Sequence, residues 1–127
     1  MVDADAIRVT IGTYCERYTD DRDGWLALFA DGATVEDPVG SDLHVGKDAI
    51  GAFWDMSHGL ADRVTLTPSG YVTVVGNEAA FAMDARMEMG DSVSGMAIID
   101  VMTFDDDARI TGQRAFWSFD DLKPVEP

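Results

Sequence analysis

Glu78-Ala79-Ala80-Phe81-Ala82-Met83-Asp84-Ala85-Arg86-Met87-Glu88-Met89 is the stretch whose reading decides the fold. Phe81, Met83, Ala85, Met87 and Met89 alternate with Ala82, Asp84, Arg86 and Glu88, the period of two expected of a strand with one apolar face and one wet face. Working outward, Val64 to Thr67, Tyr71 to Val75, Ser92 to Phe104 and Ile110 to Phe119 also read as strands. Short turns at Gly76-Asn77, Gly90-Asp91 and Asp105-Asp106-Asp107 join them, so neighbours run antiparallel. Upstream the period becomes helical. Ile7, Ile11, Tyr14 and Tyr18 fall within a narrow arc with Cys15 beside them, so Tyr14 faces inward. Asp23 is positioned to cap a short second helix through Trp25, Leu28 and Phe29, stopped near Gly32, and a third helix from about Lys47 to Gly59 buries Ile50, Phe53 and Trp54. Helices first and strands afterwards give an α+β architecture, three N-terminal helices on one side of a curved, mostly antiparallel sheet.

Composition narrows the function. With 127 residues, the chain is expected to form one domain over 1–127 with room for a single core and a small-molecule pocket. The formal charge of −15 argues against nucleic acid and anionic membranes, which require a positive surface, and in favour of an uncharged or cationic ligand. No apolar stretch approaches the roughly 20 residues of a membrane span. The start Met1-Val2-Asp3-Ala4-Asp5 lacks the basic and apolar segments of a signal peptide, so a cytoplasmic protein is expected. The single Cys15 fits a reducing compartment. His44 and His58 are far apart and no ligand-spaced cluster accompanies them, so neither a metal nor a cofactor is expected.

Two carboxylates stand out. Asp100 lies in Met96-Ala97-Ile98-Ile99-Asp100-Val101-Met102, apolar on both faces of a strand, where an unpaired charge would cost several kcal/mol at least. The expected outcome is a neutral acid able to donate a hydrogen bond to developing negative charge; the alternative is a structural Asp bonded to nearby backbone. Asp37 shares a strand face with Val35, while Glu36 points to water and Pro38 ends the strand. It is either a carboxylate at a cavity rim or a turn-forming Asp before proline. The methionines are either an adaptable ligand wall or core filler.

Thr34-Val35-Glu36-Asp37-Pro38-Val39-Gly40, Asp100 within Ile99-Asp100-Val101-Met102, Tyr14 on the first helix and Trp117 in Ala115-Phe116-Trp117-Ser118 occur together in the chain. The set resembles the bacterial ketosteroid isomerases, steroid Δ5-isomerases with the cone-shaped fold shared with nuclear transport factor 2. The resemblance implies a reaction that converts Δ5-3-ketosteroids to Δ4-3-ketosteroids by proton transfer. In it Asp37 is the general base, Tyr14 and Asp100 donate to the dienolate oxygen, and Trp117 donates its indole N–H to the base. A carboxylic acid kept neutral at pH 7 so that it can donate is a known feature of that family, and the resemblance assigns this part to Asp100. Trp117, Phe53, Trp54, Met83, Met102 and Phe29 are the residues expected around the steroid. A homodimer is implied as well. The chain departs from the pattern at Phe29 and Trp54, where the most similar branch has tyrosines bonded to the oxyanion tyrosine, and at Gln113, where an apolar Met is usual. The competing readings are a polyketide cyclase-like enzyme of the same fold, which could share Asp37, and a non-catalytic hydrophobic-ligand carrier. A dehydratase would want a His beside a carboxylate, and an epoxide hydrolase an Asp-Arg-Asp relay, for which Arg86 lies on the wrong face.

Overall fold

The computed structural model describes residues 1–127. Helix α1 (Ala4–Arg17) buries Ile7, Ile11, Tyr14 and Cys15, and Tyr18 caps its end, as the helical spacing predicts. Helix α2 (Arg22–Leu26) is shorter than expected and is capped by Asp21, not Asp23: the Asp21 carboxylate accepts from the Gly24 N–H at 3.0 Å. Asp23 lies in the first turn. Leu28 and Phe29 leave the helix because the backbone there is taken up by a strand, the Leu28 carbonyl accepting from Ile110 N–H at 2.8 Å. Strand β1 (Phe29–Glu36) contains Gly32 at a φ of 74°, so that glycine bends a strand and does not stop a helix. A two-residue strand β2 (His44–Val45), unanticipated, pairs with β1 and leads into α3 (Lys47–His58), which buries Ile50, Phe53 and Trp54 as expected.

The sheet continues with β3 (Arg63–Val75), β4 (Glu78–Met89), β5 (Ser92–Phe104) and β6 (Ile110–Phe116), in the spatial order β2-β1-β6-β5-β4-β3. Only β1 and β6 run parallel; every other pair is antiparallel. The two expected strands around residue 70 are one strand with an irregularity between Ser69 and Thr73. Gly76 and Gly90 adopt positive φ, the requirement of the tight hairpin turns they begin. Strand β6 ends at Phe116, earlier than expected, and Ser118 caps a 3-10 turn over Phe119–Asp121 before a short β7 (Lys123–Pro124) pairs with β5.

The alternation of β4 is realised in part. Ala79, Phe81, Met83 and Ala85 are buried, but Met87 is half-buried and Met89 is exposed. The inner face therefore stops being core at one end of the strand. Met83, Ala85 and Met87 form one wall of a cavity whose facing side comes from the helices, Tyr14 of α1 and Phe53 and Met56 of α3 among them. No helix is long and apolar enough to cross a membrane.

Candidate active site

Three adjacent strands bring the two carboxylates together. Across β1 and β6, Val35 pairs with Gln113 and Glu36 with Arg114; across β5 and β6, Asp100 pairs with Ala115. Asp37 follows Glu36, and its neighbourhood is held to β6 by a bond from Val39 N–H to the Ala115 carbonyl at 2.8 Å. Ala115 thus separates Asp37 from Asp100, and its small side chain leaves room for Gln113 and Trp117, two positions away on the same face of the chain. Glu36 faces away, accepting from Arg114 Nε at 2.9 Å and from the Gly40 N–H at 3.1 Å.

Asp37 lies half-buried at the cavity wall. Trp117 Nε1 donates to its Oδ1 at 2.6 Å, and Gln113 Nε2 lies 3.4 Å from its Oδ2. Burial raises the Asp37 pKa above the usual carboxylate value, opposed by the N–H groups of Trp117 and Gln113 and by His44. Asp100 is fully buried on the inner face of β5 with Ile98 and Met102, whereas Ile99 on the outer face is 52% exposed. Burial, then the nearby charge of Asp37, push its pKa well up, against the Gln113 amide. Burial thus raises both neighbouring carboxyls, Asp100 more strongly than Asp37, so Asp100 holds its proton to the higher pH.

Tyr14 enters from α1 with its ring in an aromatic layer: Trp25, Phe29 and Tyr18 have ring centroids 5.5, 6.3 and 6.3 Å away. Burial raises its pKa, so the hydroxyl remains a donor. Its one side-chain partner is Gln113, whose Nε2 lies 3.0 Å from the Tyr14 oxygen and 3.1 Å from Asp100 Oδ2. Gln113 is therefore the hub of the polar cluster, in contact with Tyr14, Asp37 and Asp100 together. Sequence reasoning marks Gln113 only as a departure from the family pattern. The available signal is parity: it shares the β6 face of buried Ala115, where a polar side chain needs partners.

The cavity measures about 400 Å³, a size suited to a small organic molecule, and 15 of its 21 lining residues are hydrophobic, so the ligand must be mostly apolar. Tyr14, Asp37, Trp117, Phe53 and Met83 line it; Phe29, Trp54 and Met102 do not. The last three are a correction to the expected wall. Phe29 and Trp54 pack in the aromatic layer behind Tyr14, Trp54 also stacking on His58 at 3.8 Å, and Met102 is sealed in the core opposite Gln113. Asp100 and Gln113 also lie behind the wall. The missing tyrosine network is replaced by apolar packing, which fixes the Tyr14 ring without bonding its hydroxyl. Exposed Met56, Leu60 and Phe119 surround the mouth.

Residues 13–113, which hold Tyr14, Asp37, Asp100 and Gln113, match the SnoaL-like domain. A curated steroid Delta-isomerase of Nocardioides simplex is 43% identical over 96 residues, 76% of each chain. The chain belongs to the SnoaL-like, ketosteroid isomerase-type family. The family's fold is evident in solved structures. The epoxide hydrolase/cyclase-like enzyme SalBIII, of pyran ring formation in the polyether salinomycin, superposes with a TM-score of 0.87 at 26% identity, covering 98% of this chain and 100% of that one. A Mycobacterium tuberculosis protein gives 0.84 at 26% identity, with the same coverage of 98% and 100%. A computationally designed 17-OHP binder gives 0.81 at 27%, covering 96% and 98%. Trp117 lies beyond the matched SnoaL-like segment, yet its bond to Asp37 makes it part of the same site.

Proposed function

We propose that the protein is a steroid Δ-isomerase that converts Δ5-3-ketosteroids to Δ4-3-ketosteroids. The observation that carries this reading is the pairing of an ionisable Asp37 at the cavity wall with a neutral Asp100 and Tyr14 grouped around one point, 3.1 and 3.0 Å from Gln113 Nε2. Asp37 takes the proton from the carbon between the ketone and the double bond and returns it two carbons along. Its raised pKa makes it a stronger base and, once protonated, still acidic enough to give the proton back. Tyr14 and Asp100 receive the negative charge on the ketone oxygen as hydrogen-bond donors, each of a kind typically worth about 10²–10³ in rate. The Nocardioides relative supports the reading, as does the mostly apolar cavity, whose wall carries no lysine or arginine.

The test is direct. A β,γ-unsaturated 3-ketosteroid is added and the ultraviolet absorption of the conjugated enone is followed. Asp37→Asn should remain folded and bind steroid, yet turn over at least about 10³ slower, because an amide cannot accept the proton. Asp100→Asn should keep substantially more activity than Asp100→Leu, since the amide still donates. Near-normal turnover by Asp37→Asn removes it from the base role.

A second reading is favoured by the same two carboxyls: an ionised Asp37 and a neutral Asp100 also form the base and acid of a cyclase, consistent with the likeness to SalBIII. Absence of enone formation by the unmodified protein would favour that alternative.

A further inference from the structure

The polar cluster has a donor count that does not close. A primary amide nitrogen carries two hydrogens, yet Gln113 Nε2 faces three acceptors: Tyr14 Oη at 3.0 Å, Asp100 Oδ2 at 3.1 Å and Asp37 Oδ2 at 3.4 Å. At the same time, Gln113 Oε1 and Asp100 Oδ1 are buried without a partner, and the Tyr14 hydroxyl accepts from Gln113 but donates to no protein group. A carboxamide can present either end. With its oxygen turned to this point, it would accept from the Tyr14 O–H and from the neutral Asp100 acid, the two bonds that an enolate oxygen would take, and would give up only the longest contact, 3.4 Å to Asp37 Oδ2.

We propose that the Gln113 carboxamide is the resident occupant of the oxyanion site, an internal ligand held between Tyr14 and Asp100 that an incoming oxygen must displace. The proposal rests on the reading of Tyr14 and Asp100 as the oxyanion donors. Geometry separates the arms of the site: Tyr14 and Asp37 line the cavity, whereas Asp100 and Gln113 do not, so the amide stands between the cavity-lining groups and the second donor. Displacement has a consequence for specificity. A neutral ketone oxygen is a weaker acceptor than the amide oxygen it must replace, whereas a phenolate or dienolate oxygen, being charged, is a stronger one. Gln113 thus makes the site discriminate in favour of oxygens that carry charge, and its chain position on rigid β6 makes the discrimination a property of the fold.

The experiment uses two phenols of different size, estradiol and 2-naphthol, titrated calorimetrically into the unmodified protein, Gln113→Leu and Gln113→Ala, with circular dichroism confirming each fold. Leu keeps the volume and removes the polar contacts; Ala also vacates the space, so that a blocked site in one variant is exposed by the other. Both phenols should bind at least one of the two variants about tenfold or more tighter than the unmodified protein, the equivalent of recovering one displaced hydrogen bond. The gain should vanish when Tyr14→Phe is added, because extra room alone would not depend on the Tyr14 hydroxyl. Equal or weaker binding by both variants overturns the proposal and makes Gln113 a group that bonds the ligand itself. A gain that survives Tyr14→Phe overturns it too, as does failure of either phenol to bind any of the proteins. Enone formation is measured separately on the same preparations: its absence alongside a Tyr14-dependent gain would sink the isomerase reading and leave the occupancy intact.

Discussion

Asp100 is a carboxyl whose folded environment prefers the neutral form, and that preference has a measurable effect on stability. Its folded pKa is raised well above the ordinary value of 3.8, chiefly by burial and then by Asp37. Between 3.8 and the raised folded value, the folded chain holds a proton that the unfolded chain has lost. The Asp100 contribution is therefore greatest at acid pH, falls as pH rises through that window, and levels off above it. Asp100→Asn does not titrate, so urea unfolding of the two proteins at several pH values isolates the effect. As pH rises from about 4 towards about 7, the Asn variant should gain steadily in stability on the parent, the direction set by the raised Asp100 pKa. Parallel stability curves would mean that Asp100 is ionised in the folded state. The burial of Asp100 was legible because Ile98, Ile99, Val101 and Met102 surround it in sequence. Its partner was not, since nothing local in Thr111-Gly112-Gln113-Arg114 says that the amide will reach across to strands β1 and β5.

At the scale of elements, the helix α2 is a short spacer that delivers Trp25 to the aromatic layer behind Tyr14. Its start depends on Asp21, whose carboxylate bonds the Gly24 N–H. Asp21→Ala should lower stability by about 1 kcal/mol, whereas Asp23→Ala should change it little, because Asp23 lies in the first turn and caps nothing. Denaturant midpoints for both variants decide between them; equal losses would place the cap elsewhere. Periodicity read the long elements well: α1, α3, β4 and β5 are where the pattern puts them. Short elements escaped it. A two-residue strand such as β2 has no period to detect, and the boundary between α2 and β1 is set by the parallel pairing of Phe29 with Ile110, a contact across the whole chain. The same limit applied to the cavity wall. Phe29, Trp54 and Met102 are large and apolar like true wall residues, and only packing tells a wall from the layer behind it.

For the whole molecule, the sheet presents a second apolar region on its outer face, where Ile99 pairs with Phe116 across β5 and β6, 52% and 41% exposed. Family resemblance implies a homodimer, and apolar surface of this kind is what such an interface needs. If the face joins two copies, Ile99→Lys should shift the sedimentation of the protein at micromolar concentration to the monomer while leaving its circular dichroism unchanged; an unaltered mass would assign association to another surface. The charge of −15 acts against close approach of two chains, so any dimer should tighten as salt screens it. Light emission is a property of the same whole. Of the three tryptophans, Trp25 is sealed among other rings and Trp54 stacks on His58, whereas half-buried Trp117 donates its indole N–H to a carboxylate, 2.6 Å from Asp37 Oδ1. An excited indole responds to a charge at that range by a shift in colour, so the fluorescence spectrum of the unlabelled protein carries a built-in readout of whether the carboxylate beside it holds its proton.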